Sequence, residues 1–229
     1  MSTKGFTRAV RRAGVVALLA AALPAASAQA ATDTSEFSIT AGSLSFLSSP
    51  DLPGFGALTL NGQPQIATAQ MPNFSVNDAT GSGLGWNVTG QGDNGAGKSA
   101  VFKEYCLDAG APNGCDTAVA GAVGPGYVTS SPKTLAANSL GLSSSGAAFT
   151  ALSGTTGTAP THQCATSCNV DSATPVKIAG AAAGAGMGSY QADSYGASSV
   201  SLALPTTVQA VTGNKVYRVD LTWSINSGP

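Results

Sequence analysis

From Tyr217 to Ile225 the chain alternates without a break. Tyr217, Val219, Leu221, Trp223 and Ile225 are apolar, while Arg218, Asp220, Thr222 and Ser224 between them are polar. A period of two places the two sets on opposite faces of an extended strand, and it is incompatible with the 3.6-residue period of a helix. A second segment follows the same plan: Leu84, Trp86 and Val88 alternate with Gly85, Asn87 and Thr89. Trp86 and Trp223 are the only tryptophans, and each has a β-branched aliphatic residue two positions later, Val88 and Ile225. Positions i and i+2 share a face, so each strand presents an indole beside a branched side chain. The chain is thus expected to contain two strands built to one recipe.

Other segments extend the pattern. Val200, Leu202 and Leu204 alternate with Ser201 and Ala203 up to Pro205. Phe37 and Ile39 are expected to begin the domain, with Leu44 and Phe46 resuming after a bulge or turn at Gly42. Leu58–Leu60, Ile66–Ala69 and Phe74–Val76 are further expected strands, separated by turn signals such as Asn61-Gly62 and Pro72-Asn73. Short strands with one apolar face and frequent turns predict an all-β fold, an antiparallel β-sandwich. Residues 92–130 and 155–195 read as long Gly/Ser-rich loops, each holding one cysteine pair. Ala179–Met187 could form one short helix, although its glycines oppose a longer one.

Residues 1–30 have the form of a secretory signal peptide. Lys4, Arg8, Arg11 and Arg12 precede the apolar stretch Ala13–Leu23, which is too short to span a bilayer, and Ala28-Gln29-Ala30 offers a cleavage site. Residues 31–229 are then expected to form a single β domain with no membrane anchor. Four of the ten basic residues and none of the eleven acidic ones lie in 1–30, leaving six against eleven, a net charge of −5. That balance disfavours nucleic acid and anionic membrane surfaces as partners. The four cysteines follow the signal, as expected in an oxidising compartment. Two local bridges, Cys106–Cys115 and Cys164–Cys168, are favoured because each pair flanks a short loop. A zinc site using all four with His162 is the alternative, and C-x8-C is poor zinc spacing.

Gly92-Asp93-Asn94-Gly95-Ala96-Gly97-Lys98-Ser99 fits the phosphate-binding pattern G-x-x-x-x-G-K-S at every fixed position. That chemistry needs backbone amides around the phosphates and a helix starting at Lys-Ser. No α/β alternation follows, so the expected reading is a turn after a strand, with no nucleotide bound. His162 has no patterned serine or carboxylate partner, no serine sits in a G-x-S-x-G elbow, and Asp108 and Asp116 read as a solvated loop edge rather than a cation site. No catalytic residue, metal or cofactor is expected.

With both tryptophan strands placed, the chain resembles the WxL-domain family of bacterial surface proteins. The N-terminal block carrying the likeness is Phe37-Ser-Ile-Thr-Ala-Gly-Ser-Leu44-Ser-Phe46, Ala57-Leu-Thr-Leu60 and Val76-Asn77-Asp78-Ala79-Thr80-Gly81, leading into Gly85-Trp86-Asn87-Val88. Tyr217 to Ile225 form the C-terminal block, and the likeness spans residues 31–229. Where the family has Trp-x-Leu, this chain reads Trp86-Asn87-Val88 and Trp223-Ser224-Ile225, which keeps an aliphatic side chain on the tryptophan's face. The resemblance implies an exported, non-catalytic module associated non-covalently with the Gram-positive cell wall. It implies binding to peptidoglycan or to partner surface proteins, with Trp86, Val88, Trp223 and Ile225 as the motif residues.

Two roles for the tryptophans remain open at this point. They are core residues in phase with other apolar positions, or they lie at a sheet surface and stack on sugar rings or a partner. Two other functions compete with a wall-binding module. One is a structural subunit of a surface coat or appendage; the other is a secreted hydrolase, for which no paired carboxylates or histidine-centred site can be found.

Overall fold

The computed structural model describes residues 34–107, 125–152 and 154–229. By contacts the chain divides into two units, Met1–Ile39 and Thr40–Pro229. Every strand among the described residues belongs to the second, and no helix occurs among them. In order the strands are β1 (Leu44–Ser48), β2 (Gln65–Ala69), β3 (Phe74–Asp78), β4 (Trp86–Gly92), β5 (Lys103–Cys106), β6 (Gly126–Tyr127), β7 (Leu140–Leu142) and β8 (Ala148–Ala151). They continue as β9 (Thr161–His162), β10 (Cys168–Asn169), β11 (Val176–Ala181), β12 (Gly188–Asp193), β13 (Val200–Leu204), β14 (Lys215–Arg218) and β15 (Leu221–Ser227).

All pairings between these strands are antiparallel, in four small sheets ordered β1-β3-β12-β8, β10-β7-β13-β2, β15-β4-β11-β9 and β14-β5-β6. The architecture is sandwich-like. The sheets centred on β3-β12 and on β4-β11 approach each other where β1 nears β15 and where β8 nears β9. Phe74 and Val76 of one and Trp86, Val88 and Ile178 of the other share a single apolar core, to which Leu140, Leu142, Val200 and Leu202 of a third sheet also belong.

The expected strands at Ile66–Ala69, Phe74–Val76 and Val200–Leu204 form where the alternation places them. Others differ, for physical reasons. β4 begins at Trp86, and Leu84 is 59% exposed rather than sharing the inward face. Gly85 adopts φ +77° and lies against the Ala181 carbonyl, where a Cβ would collide, so the pleat is broken between Leu84 and Trp86. Leu58–Leu60 forms no strand, and no strand includes Phe37 or Ile39. Residues 155–195 are not a long loop, because they contain β9 to β12, with β11 and β12 in the interior of two sheets. Ala179–Met187 is the end of β11 and a turn, not a helix.

The C-terminal alternation is divided between two sheets. β14 pairs with β5 and β15 with β4, and Val219-Asp220 form the corner between them. Asp220 holds that corner. Its amide donates to Ser99 O (2.9 Å) and its carbonyl accepts from Asp93 N (2.7 Å). Its carboxylate accepts from Ser99 N (3.0 Å), the Tyr127 hydroxyl (2.6 Å) and Arg218 (2.9 Å). The Cys164–Cys168 disulfide is present, with Cα atoms 5.3 Å apart, closing the short link between β9 and β10. Cys106 ends β5, while its expected partner Cys115, like Asp108, Asp116 and the expected signal peptide 1–30, lies outside the described residues.

Candidate functional site

The two motif strands are direct neighbours. β15 runs antiparallel to β4 with Ile225 opposite Val88, Trp223 opposite Gly90 and Ser227 opposite Trp86. The aliphatic halves of the two motifs therefore meet in the middle, and the indoles lie at opposite ends of one face. Four residues of strand separate their rungs, roughly 13 Å.

Their environments differ. Trp86 is fully buried, and its indole Nε1 donates to the Gly186 carbonyl at 3.0 Å. Phe149 meets it edge to face at 6.3 Å between centroids. Phe149 in turn stacks on His162 at 4.4 Å and meets Phe74 at 6.1 Å. His162 is part of this aromatic packing, with its Nδ1 3.5 Å from the Tyr195 hydroxyl. Its Nε2 lies 3.3 Å from the Ala148 carbonyl, the Tyr195 ring packs against its edge, and burial lowers its pKa. Val88 is fully buried as well. Of the four motif residues, only Trp223 and Ile225 keep accessible surface.

Trp223 packs on Gly90, where a Cβ would collide with the indole ring, so glycine at that rung makes room for it. The outer side of Trp223 lines an open groove of about 1090 Å³. That is at or slightly above the upper end of the range for small-molecule pockets, about 300–1,000 Å³. One wall is the strandless segment 50–60, with Leu52, Phe55, Leu58 and Leu60. The other is formed by residues 208–211 and the β14–β15 corner. Sequence reasoning missed this groove. Its one visible signal was the alternation at Ala57-Leu58-Thr59-Leu60, an apolar face whose partner the sequence does not supply.

The cations of the groove are neutralised by the protein itself. Lys98 pairs with Asp93 (2.5 Å), Lys215 with the buried Glu104 (3.3 Å) and Arg218 with Asp220 (2.9 Å). The Lys98 ammonium, helped by the Gly95 amide, holds the Asp93 carboxyl down at about 2. Burial opposes the charge of Glu104, but the Lys133 amide and Lys215 keep its pKa below the ordinary value. For Asp220, burial is likewise outweighed by Tyr127, the Ser99 amide and Arg218.

The G-x-x-x-x-G-K-S segment is a turn with no helix after it. Five of its eight amides already have partners: Gly92 N on Ser172 O, Asp93 N on Asp220 O, Gly95 N on Asp93 Oδ1, Lys98 N on Gly95 O and Ser99 N on Asp220 Oδ2. Phosphate oxygens would have to displace all of these. Among the described residues no cluster of three or more His, Cys, Asp or Glu side chains could hold a metal ion.

No family model, curated protein or solved structure matches this chain. The WxL-type reading therefore rests on the residues themselves.

Proposed function

We propose that this chain is an exported, non-catalytic module of the WxL type. It is held at the Gram-positive cell wall by non-covalent contacts to peptidoglycan or a partner surface protein, made through the groove beside Trp223. The observation carrying this reading is the open apolar groove with an indole on its wall and its three cations paired within the protein. Aromatic anchors in apolar depressions contribute most of the energy at binding surfaces, because one rigid ring removes much area from water. Tethered ion pairs also make poor general acids and bases, which favours binding over catalysis.

The test is sedimentation of the exported protein with purified cell walls, with and without teichoic acids. The comparison is the double variant Leu58→Lys/Leu60→Lys. Both leucines are partly exposed and belong to no strand, so the fold should tolerate the change. The wild type is expected to pellet with walls and the variant to stay in the supernatant at an unchanged melting temperature. Equal pelleting of both would refute the groove, and a wild type that never pellets would refute wall binding.

A further inference from the structure

We infer that the groove receives an extended segment of a second copy of this chain, residues 35–41, added as a strand along the 50–60 wall. The inference rests on the groove being the binding site and names its occupant.

The wall belongs to no sheet. Among the described residues, 50–60 lie in no strand and share no backbone–backbone hydrogen bond. One carbonyl, that of Thr59, accepts from the Gln65 side chain at 3.1 Å. Leu58 and Leu60 nonetheless keep a period of two and line the groove at 37% and 40% exposure. A segment outside every sheet, with carbonyls and (except at Pro50 and Pro53) amides free of strand partners beside an apolar trough, is what strand addition requires. The incoming backbone satisfies the polar groups, and its alternate side chains fill the trough.

The chain carries a segment of the matching pattern. In Glu36-Phe37-Ser38-Ile39-Thr40 the apolar residues alternate with polar ones. Phe37 and Ile39 are 86% and 84% exposed, more than any other large apolar side chain described, the next being Ile66 at 66%. The chain is next held at Gly42, whose amide donates to Ala79 O (2.9 Å). With export cleavage after Ala30, eleven residues precede that anchor and can extend about 36 Å, enough to cross to a neighbouring molecule. Charge does not drive the docking, which rests on the apolar side chains. The lining cations Lys98, Lys215 and Arg218 are paired with Asp93, Glu104 and Asp220, which leaves Asp51 as the remaining lining charge, and Glu36 lies at the polar edge of the incoming segment. Reciprocal donation between two copies closes a dimer, whereas head-to-tail donation builds an open polymer.

Sedimentation velocity on the exported chain over a wide concentration range tests this, together with anisotropy of a labelled peptide of residues 34–42. Association is expected to rise with concentration. Each apolar side chain lost from the segment should weaken it by at least about tenfold, so Phe37→Ser/Ile39→Ser should weaken it by about a hundredfold. Leu58→Lys/Leu60→Lys should abolish both association and peptide binding. Three results would overturn the inference: a chain monomeric throughout with the peptide unbound, association that survives Phe37→Ser/Ile39→Ser, or a groove that takes soluble peptidoglycan fragments but not the peptide. None of these touches the groove itself if wall retention still depends on Leu58 and Leu60. Loss of that dependence is the separate failure of the groove reading.

Discussion

Trp86 and Trp223 occupy matching sequence settings but should respond very differently to the same substitution. In Trp86→Phe the smaller ring leaves a void in a fully buried site and removes the donor to the Gly186 carbonyl, itself buried. An orphaned buried acceptor costs about 1–3 kcal/mol, and the unfilled volume costs about 1–2 kcal/mol more. The sum is about 3 kcal/mol, which for a domain of this size lowers Tm by about 6–12 °C. Trp223 is half-buried, and among the described residues its indole nitrogen has no hydrogen-bond partner. Trp223→Phe should therefore cost about 1 kcal/mol and about 2–4 °C. Thermal unfolding followed by circular dichroism, with both variants in one buffer, measures the difference. The reasoning fails if Trp86→Phe melts no lower than Trp223→Phe, because equal losses would mean the two indoles share one environment.

Three further outcomes are expected. Gly90→Ala drives a methyl group into the Trp223 ring and should cost about 1–3 kcal/mol; adding Trp223→Leu should recover part of that loss, and a double-mutant cycle without coupling would refute the contact. Replacing Cys164 and Cys168 by alanine frees a link of sequence separation 4 and should lower stability by about 2 kcal/mol in chemical denaturation, a figure from chain entropy alone. Asp93 has a depressed folded pKa, so the stability it contributes is present above 3.8 and is lost as pH falls toward about 2. In an NMR titration Lys98→Met should move its midpoint up toward 3.8, and an unmoved midpoint would show that Lys98 is not the cause.

Much of the framework was legible in the chain. Alternation located β2, β3, β13 and the inward faces of β4 and β15, and the Cys164–Cys168 bridge followed from a short loop between two cysteines. The misses have one origin. Leu84 alternates correctly but points to solvent because Gly85, the next residue, inverts the backbone ahead of Trp86. Tyr217 to Ile225 read as one strand, yet Asp220 makes four hydrogen bonds with distant segments and divides it between two sheets. Residues 155–195 look like loop because glycine, alanine and serine have no marked period, though β11 and β12 are paired on both sides.

By itself the sequence determined that this chain pleats. Which side chains share a face is a property of neighbours along the backbone, and a period of two is enough to state it. Tertiary structure decided what each face meets. Trp86 was enclosed by Phe149 and the turn at Gly186, while Trp223, on the same face, was left beside a wall that belongs to no sheet. Burial and pairing are set by residues far apart in the chain, so two identical local signatures could become one core residue and one groove wall.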